Sequence, residues 1–562
     1  MPLKELKSAS SLQDIAFLLG FSASTLAFVL YKLPNDKKYK TFDIPKKSGG
    51  VRQISAPEDR LKTLQRNLAT LLYQCCTEIE GTKKPTKSLS HGFRKGHSII
   101  TNARQHKNRR YVLNLDIKDF FPSFNFGRVR GFFIKNHDFA LNEKIATIIA
   151  QIACFNNALP QGSPCSPIIS ELIAHLLDVR LAQLAKHHKC TYSRYADDIT
   201  FSTNQKIFPS ALAHRTEEPA SDWVLGDDLL KQISKVGFSV NGNKTRMQCA
   251  TGRQIVTGLT VNKKVNIRAD YYRSARSLCN ALFGTGAYQL PGSPHKTSKL
   301  SKIEGILNHI HYVKDSGDKR TADEKKQGPS GARKLYKKLL FYKYFVALDK
   351  PLVICEGKTD SIYLKAAIRH LPIFHPKLAE IVGKSTKQKI AFFRYSALSD
   401  HVLRLGGGAG GIKNFISHYV LAAAKYKHAT MNHPVILLVD NDDGVKGIFS
   451  IIKSIFKVSI TLTSDASFYH LHRNLYLVKT PALHVPGISC IEDFFDAKML
   501  NAKLGDKTFN PKDDHDSSKE YGKAAFAEHV IRANAATIDF SRFTSILNRI
   551  VAVIDDYKPP AV

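Results

Sequence analysis

Asp197 and Asp198 are neighbours in Tyr195-Ala196-Asp197-Asp198, flanked by Thr191 to Arg194 and by Ile199 to Ser202. β-Branched and aromatic residues on both sides of an acidic turn predict a tight hairpin with the carboxylates at its tip. Adjacent carboxylates repel each other and gain nothing for stability unless a cation stands between them. Asp116 lies 81 residues upstream and ends the apolar run Tyr111-Val112-Leu113-Asn114-Leu115. Two strands ending side by side would gather three carboxylates around two Mg2+ ions, which suits in-line attack of a hydroxyl on a nucleoside triphosphate.

A second acidic set lies in the other half of the chain. The run Val353-Ile354-Cys355 ends in Glu356-Gly357 ahead of a helix expected over Ser361 to His370, and Val435 to Val439 ends in Asp440-Asn441-Asp442. Both runs read as buried parallel strands, and acids at the carboxyl ends of such strands are where open α/β sheets place ligands. Alternate residues share a face, so Asp440 and Asp442 can address one cation. Glu492 and Asp493 are candidates for a further ligand, and the glycines at 406–408 and 410–411 read either as an approach for phosphate or as a flexible loop.

The elements that must position these groups divide the chain into five stretches. Residues 1–40 read as a helical lead-in, 41–262 as mixed strands and helices holding the first three acids, and 263–345 as basic helices. Residues 351–500 read as a second α/β domain after a boundary near Lys350-Pro351, and 501–562 as a polar, then helical, tail. Within the basic helices, Asp315 to Arg333 is expected to be a mobile loop and Lys334 to Tyr344 a basic helix. The apolar run Ile15 to Leu30, with Lys4 and Lys7 ahead of it, superficially resembles a signal peptide. Asp14 and the break Gly20 to Ser24 instead predict two short helices, with Ser22 or Ser24 capping the second near Thr25. No stretch has the roughly eighteen uninterrupted apolar residues of a membrane span.

Composition narrows the partners. Lys and Arg number 83 against 48 Asp and Glu, a net charge of +35 spread over most of the 562 residues. Such a surplus points to a polyanion, most simply nucleic acid. Nine cysteines without Cys-x-x-Cys spacing predict neither a disulfide framework nor a zinc ribbon, and suit a reducing cytoplasm.

With the acids, the loop Leu159-Pro160-Gln161-Gly162-Ser163-Pro164-Cys165-Ser166-Pro167 makes residues 41–345 resemble a reverse transcriptase, and more narrowly the retron-encoded class. Asn102-Ala103-Arg104-Gln105-His106 and Val256-Thr257-Gly258 resemble that class's two signatures. The resemblance implies a right-hand polymerase of fingers, palm and thumb, with Asp116, Asp197 and Asp198 holding two Mg2+ ions. It implies that Phe121 lies beneath the sugar and favours deoxynucleotides, and that Gln161 packs on the incoming nucleotide. Lys244 would donate a proton to the leaving pyrophosphate, while Arg52, with Arg94 or Lys95, would hold phosphates. It also implies that Asn102, His106, Val256, Thr257 and Gly258 recognise the enzyme's own structured noncoding RNA, and that priming from a 2′-hydroxyl in it yields a branched RNA–DNA hybrid. Residues 351–500 resemble a Toprim domain, doubly wound α/β, with Glu356 as general acid or base and Asp440 and Asp442 holding one or two Mg2+ ions. With no topoisomerase tyrosine motif or primase zinc module in the chain, the resemblance implies a nuclease acting on nucleic acid, and by family an antiphage effector. Two rivals fit the same residues: a mobile-element, intron-like reverse transcriptase whose Toprim domain processes DNA, and a non-catalytic RNA-binding scaffold.

Overall fold

Two separated sets of strand-forming runs need two sheets, and the chain divides into two compact units, Met1–Arg268 and Ala269–Val562. The computed structural model describes residues 2–46, 49–82, 87–215, 223–373, 376–383, 385–483, 488–512 and 514–560.

In the first unit β1 (Tyr39–Pro45) and β2 (Val51–Pro57) pair as an antiparallel hairpin. Four further strands, β3 (Tyr111–Asp116), β4 (Thr191–Tyr195), β5 (Asp198–Thr203) and β6 (Arg246–Cys249), form an antiparallel sheet in the order β4-β5-β3-β6. β3 is central, which is why Val112, Leu113 and Leu115 are all buried rather than alternating cleanly. The helix Ser166–His187, with Pro167 in its first turn, packs on β4 and buries Ile169, Leu177 and Leu181. At the N-terminus, Ser11 and Ser22 cap the helices Leu12–Leu18 and Ala23–Ala27, which bury Ile15 and Leu26 in the same core.

In the second unit β7 (Leu352–Cys355), β8 (Ala391–Phe392), β9 (Val435–Val439), β10 (Tyr469–His472) and β11 (Leu475–Lys479) make one sheet in the order β8-β7-β9-β11-β10. The first four are mutually parallel and β10 is an antiparallel edge. Every residue of β7, β9 and β11 is buried, as the continuous apolar runs require.

Three expectations change. No unit boundary falls near Lys350: the helices Ala269–Thr285, Leu300–Ser316 and Gly331–Phe341 belong to the same unit as the parallel sheet. The physical reason is the aromatic end of the last helix, where Phe341 packs on Tyr419 and Tyr426 of the α/β layer. Asp315 to Arg333 is not a loop throughout. Thr321 and Glu324 form a capping box that starts the helix Ala322–Gln327, and Lys325 reaches back to Asp315 at 3.3 Å. Nor is 501–562 a separate tail, because Phe526, Ile531, Phe543, Leu547 and Ile550 share one core with Val353, Ile436 and Val478. Among the described residues no single helix is long and apolar enough to cross a membrane, although Leu12–Leu18 and Ala23–Lys32, bent by 104°, pass that test as a pair.

Candidate active site

Sheet register brings the first acids together. Asp116 ends β3 directly opposite Asp198, the first residue of β5, and Tyr195 faces Asp198 across the hairpin. Asp197 occupies the turn between β4 and β5, where its carbonyl accepts from Ile117 N–H at 2.9 Å. The turn is tight because Ala196 adopts the left-handed region, φ 55°, a conformation that costs an alanine about 1 kcal/mol. Two neighbours hold it there. Arg194 Nη1 donates to Ala196 O at 3.0 Å. Residues 89–91 run along the free edge of β4, with His91 N–H to Arg194 O at 2.8 Å, so that Gly92 abuts the turn. A Cβ at Gly92 would lie 2.5 Å from Ala196 N, so only glycine fits.

Arg194 is itself wholly buried and charged. Its guanidinium meets Glu171 at 2.7 Å and Asp178 at 2.7 Å, both on the helix Ser166–His187, and Tyr192 Oη donates to Asp178 at 2.7 Å. This group of side chains fastens the acidic hairpin to the long helix, and nothing in the local sequence announces it.

The electrostatics of the cluster favour a cation. Burial first, then Asp116, raises the Asp197 pKa above the ordinary carboxylate range. Burial, then Asp197 and Asp116, push Asp198 up to about 7. Asp198 itself is exposed to solvent, whereas Asp197 is half-buried and Asp116 buried. Lys244 Nζ stands 2.9 Å from Asp116 Oδ2 and offsets part of that repulsion.

The other candidates distribute around this point. Arg52 lies exposed on β2, and Gln161 accepts from Ser55 N–H of that strand at 2.8 Å through its carbonyl, tying the Leu159–Pro167 loop to the hairpin. Gly162 takes φ 126° there, and a Cβ on it would meet Ser55 O at 2.6 Å. Phe121 is half-buried, edge-on to Phe120 at 5.5 Å. Arg94 is engaged by Glu80, whereas Lys95 is exposed.

The RNA-recognition expectation is corrected for Asn102, His106 and Val256, all fully buried. His106 bridges Ser202 Oγ and Ser193 Oγ, each at 2.7 Å, and Ser193 in turn donates to Asn102 Oδ1 at 2.6 Å. Burial lowers the His106 pKa to about 3, so the ring is a neutral brace across β4 and β5. Thr257 and Gly258, φ 46° and 81°, form the two-residue turn of the hairpin Ile255–Val256 and Leu259–Thr260. Both positions need positive φ, which explains the glycine. Thr257 Oγ1 donates to Ile99 O at 3.2 Å, so this turn meets the helix Ile99–Arg104 that carries Asn102. Only Thr257 and Gly258 of the five retain surface for a partner.

In the second unit Glu356 follows β7 and Asp440 follows β9, its neighbour in the sheet. Asp440 N–H donates to Glu356 Oε2 at 3.3 Å and Asp440 Oδ1 accepts from Ile491 N–H at 2.9 Å. Asp442 instead caps the turn Asp443–Val445 through Gly444 N–H at 2.9 Å. Asp493 caps Cys490 N–H at 2.8 Å. Glu492 is buried and paired with Lys523 at 3.1 Å. Burial is the first cause raising Glu356, Asp440 and Glu492, and like charges add to it in each. Two members escaped the sequence reading. Asp360, buried and accepting from Gly357 N–H at 2.7 Å, was signalled by its place at a helix start just after Glu-Gly. Lys523 carries no local signal, because it reaches the site from beyond residue 500.

The chain is similar to several known proteins. The reverse transcriptase (RNA-dependent DNA polymerase) family model matches residues 44–268. The chain is 33% identical over 331 residues to the Retron Mx65 reverse transcriptase of Myxococcus xanthus, covering 56% of this chain and 71% of that protein. It is 33% identical over 332 residues to the Retron Mx162 reverse transcriptase of the same organism, covering 55% and 65%. A solved apo telomerase from Candida tropicalis aligns over 54% of this chain and 61% of its own, with TM-score 0.32 and 14% identity.

Proposed function

Because this chain belongs to the retron reverse transcriptases, we propose that its first carboxylate centre copies a cognate structured noncoding RNA into DNA, giving the branched hybrid known as msDNA. The observation that carries the reading is the meeting of Asp116, Asp197 and Asp198 at adjoining strand ends, where burial and like charge raise the pKa of Asp197 and Asp198. Such a group is destabilising by itself and fits a divalent ion. Bound there, Mg2+ supplies charge neutralisation for a nucleotidyl transfer. In this reading Lys244, beside Asp116, would protonate a leaving pyrophosphate, Arg52 with Arg94 or Lys95 would grip phosphates, and Phe121 and Gln161 would bracket the deoxynucleotide.

The raised acids make cation binding proton-linked. An acid whose folded pKa exceeds its unfolded value of 3.8 holds protons that the unfolded chain has released, so Asp198, at about 7, makes the metal-free fold less stable as pH rises between those values. Added Mg2+ should reverse that trend. Titration calorimetry at about pH 6.5 in two buffers of different ionisation enthalpy should detect proton release on Mg2+ binding. Equal apparent enthalpies in both buffers would count against the assignment.

We further propose that the second unit is a Toprim-type nuclease in which Glu356 acts as general acid or base and Asp440 and Asp442 hold Mg2+, with Glu492, Asp360 and Lys523 completing the polar cluster. Carboxylates at the ends of adjacent parallel strands support this reading. Fusion of the two activities suggests a defence against phage in which msDNA restrains the nuclease. Phenol extraction of the purified protein and sequencing of attached nucleic acid tests the whole scheme. A branched RNA–DNA species is expected from the wild type and none from Asp198→Asn, while Glu356→Gln should retain it and lose cleavage. Unbranched or heterogeneous nucleic acid from the wild type would refute the msDNA reading.

A further inference from the structure

Away from both acidic centres, three side chains of the second unit converge: one ligating atom each from His311, Asp315 and His401 lie within 4.8 Å of one another. His311 and Asp315 are one turn apart on the helix Leu300–Ser316, and His401 lies in the π-turn Ser399–Leu403. His401 Nε2 is 3.7 Å from Asp315 Oδ1, while Asp315 Oδ2 is engaged by Lys325 Nζ at 3.3 Å. Lys325 thus orients the carboxylate and leaves one oxygen facing the imidazole. His311 is nine-tenths buried and its Nε2 has no hydrogen-bond partner. An unmet buried polar atom is costly, so a ligand that reaches His311 Nε2 removes a real penalty. Arg333 donates to the His401 carbonyl and holds the turn in place.

We propose that His311, Asp315 and His401 form a binding site for one zinc-type transition-metal ion, with water as the fourth ligand. Two imidazoles and one carboxylate are a nitrogen-rich set that suits Zn2+ and suits Mg2+ poorly. Bonds of about 2.0–2.1 Å put tetrahedral donors roughly 3.3 Å apart, so the cluster must close slightly. Asp315 and His401 are both partly exposed and have room to rotate. Lys325 and Arg333 oppose a dication, which sets the affinity below that of an all-cysteine structural site. The turn leads directly into the glycine run, where Gly408 N–H donates to Glu356 O at 2.9 Å. Metal occupancy therefore steadies the backbone beside the second acidic centre and fastens the helix Leu300–Ser316 to it.

The test uses the full-length protein, stripped with chelator and equilibrated with Zn2+ in saturating Mg2+ to mask the carboxylate centres. Elemental analysis after gel filtration should find about one zinc per chain. His401→Ala and Asp315→Asn, at accessible positions, should keep the fold, bind zinc at least about tenfold more weakly, and lose the zinc-dependent rise in melting temperature. Asp440→Asn should bind as the wild type does. Zinc absent from the wild type, zinc retained undiminished by His401→Ala, or zinc lost from Asp440→Asn would each overturn the proposal.

Discussion

Asp197→Asn should reduce deoxynucleotide incorporation by about a thousandfold or more while leaving the melting temperature unchanged or raised. The two readouts separate because the same carboxylate plays opposite parts. In the transition state, losing a metal-ligating charge forfeits several kcal/mol, and about 4 kcal/mol corresponds to a factor of a thousand. In the metal-free fold, Asp197 is half-buried beside Asp116 and its pKa is raised, so neutralising it relieves repulsion. Asparagine keeps the size and the backbone bond from Ile117 N–H to the residue 197 carbonyl. Primer extension on an RNA template with Mg2+, beside a thermal melt of the same preparation, checks both halves. Activity within tenfold of wild type would remove Asp197 from the chemistry, and a large fall in melting temperature would recast it as a structural residue.

Arg194→Met should destabilise the first unit by roughly 3–5 kcal/mol, the cost of leaving buried charges without their partner. The substitution strips the counter-charge from Glu171 and Asp178 and removes the donor to Ala196 O. Methionine fills much of the volume, so the loss is electrostatic rather than a cavity. The triple variant Arg194→Met, Glu171→Leu, Asp178→Leu should recover most of that stability, since apolar packing often replaces a buried ion pair without penalty. Its polymerase activity should stay low, because nothing then holds the left-handed Ala196 beneath Asp197. Denaturant unfolding with primer extension distinguishes the two roles. A triple variant as active as wild type would show that the arginine serves the fold alone.

The first three acids are legible in the sequence because their local grammar is complete. A β-branched run, an acidic pair and a second β-branched run specify a hairpin, and the strands observed, Thr191–Tyr195 and Asp198–Thr203, meet where those residue types require. The buried parallel strands Leu352–Cys355 and Val435–Val439 were equally plain as continuous apolar runs. Illegible were the features made by partners distant in the chain. Asn102 and His106 read as a recognition signature, yet Ser193 and Ser202, some ninety residues later, draw both side chains inside. The stretch Asp315 to Arg333 read as a loop from its composition, whereas a four-residue capping box is enough to start a helix there.

Residue types and their spacing by themselves determined that Asp116, Asp197 and Asp198 gather in the first half, which strands carry them and Glu356 and Asp440, and the net charge of +35. These follow from period, propensity and net charge, which are properties of neighbours in sequence. Tertiary structure decided which polar groups are buried, which charges are paired and which distant helices complete a core: Arg194 between Glu171 and Asp178, Lys523 against Glu492, and Phe526 to Val553 beneath the parallel sheet. Burial and pairing depend on what lies across space, and no local window of sequence contains that information.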